Sequence, residues 1–293
     1  MKMILVPLGG GASGDKGESR LDAAFAIARR FNSHVEVLHV RPDPSDVLRA
    51  MSLKLPGSLR QSVSEVAQSE AAAASERARA LFQSCCERHR VTVQDKPPMA
   101  EGVSAAWLEM QGRESIAIAQ RGRLTDLIVV DRSLQESPAP PVLEAALMET
   151  GKPVLVLPPP DRRPAPEAIG RNVVIGWNGS IVAAKAVAAA RHFLITASKV
   201  TALSLKEDKT KPSRVGVDDL IDHLAWHGVT ADSRVFEAKR GDIGDSLLAA
   251  ARELEADLLV LGGYGTSMTR EIIRGGVTRH MLAHAEIPLL MAH

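Results

Sequence analysis

Asp257-Leu-Leu-Val-Leu-Gly-Gly-Tyr-Gly265 is the stretch that decides how this chain is read. An apolar run of strand length ends on closely spaced glycines. Gly275-Gly276-Val277-Thr278 then opens a helical pattern that continues from Val277 to Ala285. Small residues between a strand and a helix let backbone amides approach an anion, and the helix start supplies unpaired N–H donors. The plainer alternative is a strand-to-helix loop that is glycine-rich for packing alone.

Working outward, the same order of elements occurs twice. Met3-Ile-Leu-Val-Pro-Leu-Gly9 and Asn172-Val-Val-Ile-Gly-Trp-Asn-Gly179 each open a half, and each is followed by an alanine-rich helix, around Leu21–Phe31 and Ala183–Phe193. Second strands follow at Val35–Val40 and Lys199–Leu205, later ones at Thr125–Asp131 and Ala256–Gly262, and Pro-led closing strands at Pro153–Leu157 and Pro288–Ala292. These runs are short and nearly continuous in apolar residues, as suits strands covered on both faces by helices. The pattern therefore predicts parallel α/β order, β-α-β-α-β-α-β-α-β in each half. Pro158-Pro-Pro-Asp-Arg-Arg-Pro-Ala-Pro166 reads as a stiff linker. It places two domains at residues 1–160 and 171–293, with the boundary near Arg163–Gly170.

The first half is longer. Matching Met3 to Asn172 offsets the halves by 169 residues, and matching Thr125 to Ala256 offsets them by 131, so some 38 extra residues lie between those points. They fall mainly in Pro44–Arg90, where Gln61–Glu87 reads as one long helix: a lid, a brace, a dimer arm, or an excursion packed on its own domain.

Composition narrows the function. Net charge is +1 and aromatics are 3%, which argues against nucleic-acid binding by bulk electrostatics or by stacking platforms. Hydrophobic content of 45% with 24% charged residues describes a globular protein. No run reaches the roughly 18 apolar residues of a membrane helix, and Met1–Pro7 is too short for a secretory signal, so a cytoplasmic protein without a membrane partner is expected. Cys85 and Cys86 are adjacent, which strains a disulfide between them; a helical setting is expected, with at most one buried.

The spacing Gly262-x-x-Gly265, nine residues, Gly275 resembles the nucleotide loop of universal stress proteins, and the doubled element order resembles a tandem member of that family. Gly276 stands where the family's loop carries Ser or Thr, so one hydroxyl is absent while backbone donors remain. The resemblance implies two tandem open five-stranded parallel sheets with helices on both faces, the adenine nucleotide alpha hydrolase-like fold. Members commonly pair edge to edge through the last strand, so an internal pseudo-dimer or a homodimer is implied. It further implies ATP or ADP, with Mg²⁺ as an accompanying ion, although no carboxylate beside the loop has an evident Mg²⁺ role. Gly176 and Leu205 would flank the base through backbone groups, with Leu261 beneath it. Asn178 replaces the family's usual Asp near base or ribose, and Gly262, Gly265, Gly275, Gly276 and Val277 would surround ribose and phosphates.

Other residues near the loop carry ordinary readings beside functional ones. Arg270, Arg274 and Arg279 suit phosphate but equally a solvated surface, and Thr266 and Ser267 are alternative hydroxyls. His280 and His284 have metal-ligand spacing but no further ligand nearby in sequence except His293. Trp107, Trp177 and Trp226 read as core or half-buried, with Trp177 beside Asn178 at the expected mouth.

The first half offers Gly9-Gly-Gly-Ala-Ser-Gly14, a literal G-x-G-x-x-G. Against a dinucleotide fingerprint, Asp15–Glu18 are expected to precede the helix, and the second strand ends at Arg41 instead of an acid. After Val130 the stretch Asp131–Pro141 has no glycine; prolines 138, 140 and 141 cannot donate amides, and Pro141 suits a helix start. Nucleotide is thus expected only in the second half, in a non-catalytic regulatory role with slow ATP hydrolysis at most, since no base, nucleophile or metal constellation is present. The alternative is an interaction or dimerisation stress protein without nucleotide.

Overall fold

The computed structural model of the chain describes residues 1–9, 15–43, 57–97, 102–132, 141–205, 215–238, 243–263 and 276–293. Two compact units form: Met1–Val129 with Pro141–Thr150, and Val130–Pro140 with Gly151–His293. The fold is α/β, with mostly parallel open sheet and flanking helices.

In the first unit the order is β1 (Met3–Pro7), α1 (Asp15–Phe31), β2 (His34–Arg41), α2 (Gly57–His89), β3 (Thr92–Val93), β4 (Ser104–Gln111), α3 (Glu114–Arg121), β5 (Leu127–Asp131) and α4 (Pro141–Glu149). Its strands lie parallel in the order β3-β4-β2-β1-β5. Helices cover both faces. Neighbouring residues of a strand point to opposite sides; Glu36 is held by two 2.6 Å bonds from Arg121 of α3. Trp107, the register partner of Val37, meets Phe82 of α2 instead.

The second unit contains β6 (Val154–Leu157), β7 (Asn172–Trp177), α5 (Ile181–Thr196), β8 (Lys199–Leu205), α6 (Val217–Trp226), β9 (Asp232–Phe236), α7 (Ile243–Glu253), β10 (Leu258–Gly262), α8 (Gly276–His284) and β11 (Leu289–Ala292). Its strand order is β6-β11-β10-β7-β8-β9, all parallel except β6, which runs antiparallel to β11.

An aspartate at the amino edge repeats in both units. Asp126 accepts the amides of Lys2 and Met3 at 2.5 and 3.0 Å, immediately before β5. Asp257, immediately before β10, accepts those of Gly170, Arg171 and Asn172 at 2.7, 3.0 and 2.9 Å. The carboxylates tie the amino end of β1 to that of β5 and the amino end of β7 to that of β10.

Four expectations are corrected. Helix α1 begins at Asp15, so Asp15–Glu18 are its first turn and not a preceding insert; an acid such as Glu18 suits a helix N-terminus. Both cysteines are buried, Cys85 at 0% and Cys86 at 3% exposure, because the end of α2 packs against α1 as well as β2 and β4, and adjacent helical positions both find cover. Trp226 is 90% exposed; as the last residue of α6 it extends where the chain turns through His227 and Gly228 toward an edge strand. The strand expected to close the first half, β6, stands in the second unit beside β11. All four residues of β6 and of β11 are buried, and each strand supplies the other with a hydrogen-bonding neighbour.

The long helix is present and extends the expected span to Gly57–His89. Its C-terminal part is packed on its own unit through Ala78, Phe82, Cys85 and Cys86, while most of residues 61–74 stays exposed or half-buried.

Candidate functional site

Strand order in the second unit reverses between β7 and β10. These are the first and fourth strands of this half, yet they are neighbours, with β8 beside one and β11 beside the other. Connections from two such strands leave toward opposite faces and open a crevice at the carboxyl edge.

Gly176, on β7, stands next to Leu261 of β10, and a Cβ on Gly176 would lie 2.4 Å from Leu261 Cδ2. Leu261 is 7% exposed, so its side chain forms part of the floor at this point. Gly262 faces the other way. A Cβ there would be 2.7 Å from the backbone nitrogen of Ala183 and from the carbonyl carbon of Val182. The strand end thus packs directly on the first turn of α5, and glycine is required by backbone contact. For Gly262 the packing reading of the loop is met outright.

Asn178 lies exposed just beyond β7. Its Oδ1 accepts from the Ser180 amide at 3.1 Å, and Ser180 Oγ accepts from the Ala183 amide at 3.2 Å. The two side chains together shape the entry into α5. Leu205 is the half-buried last residue of β8, paired with Phe236. Trp177 turns away from the mouth: Nε1 donates to the carbonyls of Val215 and Gly216 at 3.1 and 3.0 Å, tying the residues before α6 to the end of β7.

Gly276 and Val277 open α8, which packs on α7. A Cβ on Gly276 would meet nothing within 4 Å, and the first amides of any helix lack intrahelical partners. Gly265 and Gly275 lie outside the described residues, as do Thr266, Ser267, Arg270 and Arg274. Arg279 is exposed on α8. The structure therefore brings Gly176 against Leu261 and aligns Asn178, Leu205 and Gly262 along one edge, with Gly276 at an open helix start.

His280 and His284 stack on each other with centroids 4.2 Å apart. His280 sits over Gly244, whose Cβ would clash with the ring at 2.6 Å. Its Nε2 is 3.0 Å from Asp245 Oδ1 without the geometry of a hydrogen bond, while His284 Nδ1 donates to the His280 carbonyl at 3.0 Å. Among the described residues no group of three or more His, Cys, Asp or Glu side chains could hold a metal ion. His293 Nδ1 donates to the Gly263 carbonyl at 3.2 Å, at the tip of β10. That contact has no short-range signal in the sequence, because thirty residues separate the partners.

Residues 170–293 match the model of the universal stress protein family. This half of the chain is a universal stress protein domain. A universal stress protein from Archaeoglobus fulgidus is similar in structure over 99% of this chain and 97% of its own, at 13% identity and TM-score 0.70. A putative universal stress protein from Pseudomonas aeruginosa is similar over 100% of this chain and 93% of its own, at 15% identity and TM-score 0.58. At such identities the likeness shows the fold. A universal stress protein solved in complex with cAMP is 24% identical over 42% of this chain and 96% of its own, at TM-score 0.35. The comparison with curated proteins finds no match. Among the described residues no helix is long and apolar enough to cross a membrane.

Proposed function

We propose that the universal stress protein domain binds an adenine nucleotide, ATP or ADP, at the carboxyl edge of β7, β8 and β10, and that binding regulates without committed catalysis. The observation that carries this reading is position: Gly176, Asn178, Leu261 and Gly262 lie at or just beyond the carboxyl ends of β7 and β10, where strand order reverses, and Leu205 ends the neighbouring β8; such an edge is the usual seat of ligands in open α/β sheets. The open helix start at Gly276 supports an anion there, because nothing within 4 Å competes for the space beside it. Gly265, Gly275 and Val277 complete the proposed phosphate cradle. Backbone amides and Leu261 serve binding; neither activates a nucleophile. Mg²⁺ would enter with the nucleotide's own phosphates.

In this reading residues 171–293 form the nucleotide domain, and residues 1–160 are a degenerate copy of it that does not take nucleotide in the family manner.

The test is titration of the full chain with ATP, followed by calorimetry and melting. With ligand at about a hundred times Kd, mass action stabilises the folded state by about 2.7 kcal/mol. A Gly265→Val variant is expected to fold but lose that response. An absent ATP response in the native chain would reject the nucleotide reading and leave the interaction protein.

A further inference from the structure

β9 (Asp232–Phe236) ends the strand order of the second unit. One side of it pairs with β8, in parallel, from Thr201 opposite Asp232 to Leu205 opposite Phe236. Among the described residues no strand takes the other side. Asp232, Ser233, Arg234 and Val235 are all exposed, Val235 at 61%. Such an edge holds a row of backbone donors and acceptors that a further strand can use. β11, the strand through which the family resemblance implies pairing, already lies between β6 and β10.

The order of side chains decides what that further strand can be. In an antiparallel pair, opposite residues turn their backbone groups either both toward or both away from each other. Along one strand that orientation alternates from residue to residue. Two copies of β9 related by a twofold axis must therefore place a residue directly opposite its own copy, and registers shifted by half a step are excluded. Centring on Asp232 or on Arg234 sets like charges face to face. Centring on Ser233 sets Asp232 opposite the other copy's Arg234, and Arg234 opposite its Asp232. Of the registers centred within β9, this one alone pairs unlike charges of the strand. Asp232 and Arg234 are two residues apart, on one face, so the four charges alternate in sign there. On the other face Ser233 meets itself and Val235 meets Ala231. Charges commonly keep an edge strand single. In this order they make the strand complementary to itself, because unlike charges directly opposite stabilise a strand pair and like charges destabilise it.

We propose that β9 pairs antiparallel with β9 of a second copy of this chain, on a twofold axis through Ser233. The partner is a copy of the same chain because the charge order of the strand is matched by its own reversal.

The test is sedimentation equilibrium of the full chain; a contact of strand size is at the weak end of specific interfaces, so the concentrations run from about 1 µM to about 1 mM. A monomer–dimer equilibrium is expected, and it should weaken as salt screens the charges. Arg234→Asp and Asp232→Arg should each weaken self-association about tenfold or more, since each sets like charges opposite one another. Both positions are exposed, so both variants should melt as the native chain does. An equimolar mixture of the two variants is expected to recover native dimerisation, because every opposed pair in the mixed dimer is again unlike. Ser233→Cys, on the axis, should form a disulfide between copies under mild oxidation, and Val235→Cys, two residues off the axis, should form it far more slowly. The native Cys85 and Cys86 are buried and leave that readout clear. A monomer throughout the range would overturn the proposal. So would a dimer that neither charge reversal weakens, weakened variants that do not recover on mixing, or equal cross-linking at the two cysteine positions.

Discussion

Gly176 and Leu261 share one space on adjacent strands: the Leu261 Cδ2 methyl stands where a Gly176 side chain would begin, 2.4 Å from an ideal Cβ. Gly176→Ala is therefore expected to destabilise the chain by about 1–3 kcal/mol through overpacking. Leu261→Ala in the same chain should recover part of that loss, because it vacates the contested volume. Urea denaturation of the two single variants and the double variant measures the coupling. Strict additivity would show that the two side chains do not compete.

Gly262 and Gly276 look alike in sequence and are expected to behave differently. At Gly262 a Cβ meets backbone atoms of Val182 and Ala183 at 2.7 Å, which cannot give way without moving α5. Gly262→Ala should cost about 2 kcal/mol or more. Gly276→Ser meets open space and should change stability by under about 0.5 kcal/mol. On the proposed nucleotide reading it also returns the hydroxyl missing from the loop, so calorimetry should show tighter ATP binding in this variant than in the native chain.

Arg163 anchors the proline-rich segment. Its Nη2 lies 2.5 Å from Asp131 Oδ1, with the two side chains only 5% and 15% exposed, and its Nε donates to the Pro158 carbonyl at 2.7 Å. Removing one member strands a buried charge, so Asp131→Ala or Arg163→Ala should each cost about 3 kcal/mol. Chemical denaturation is the check, and near-native stability in both would show the segment to be an untethered linker.

Cys85 and Cys86 are expected to behave as inert core residues. Burial raises their pKa values to about 11 and about 12, from an ordinary 9.0, with Arg88 opposing the shift at Cys85. Native protein at neutral pH should alkylate slowly with iodoacetamide and rapidly once unfolded. Because the folded chain keeps these protons when the unfolded chain loses them, stability should fall as pH rises from about 9 toward the folded values. Fast native labelling would contradict the burial of both thiols.

Much of the architecture was readable because its signals are local. The apolar runs before Gly9 and Gly262 have strand length and little polar interruption. Gln61–Glu87 is rich in helix formers over many turns, and Pro141 starts a helix as its fixed φ favours. The paired sequences Asp126-Leu-Ile-Val-Val and Asp257-Leu-Leu-Val-Leu carried the repeat, and the structure adds that the aspartates hold the amino ends of β1 and β7. Of the site, the strand-end residues Gly176, Asn178, Leu205, Leu261 and Gly262 were placed on one edge by the same logic. Gly265 and Gly275 lie outside the described residues.

The remainder depended on partners distant in the chain. Periodicity located β6 but could not say that its neighbour is β11, more than a hundred residues later, since any buried strand of that length has the same pattern. Composition placed Cys85 and Cys86 on a helix, but only the surfaces packed around α2 bury both.

By itself the sequence determined the alternation of strands and helices, the doubling of that order and the candidate strand-end edge, because backbone preference and hydrophobic period act over a few residues. Tertiary structure alone decided that Gly262 serves backbone packing against α5, that Trp177 ties the approach to α6, and that Glu114 covers Gly9. Those roles are set by which atoms exclude one another in space, and excluded volume between remote segments leaves no mark on either segment alone.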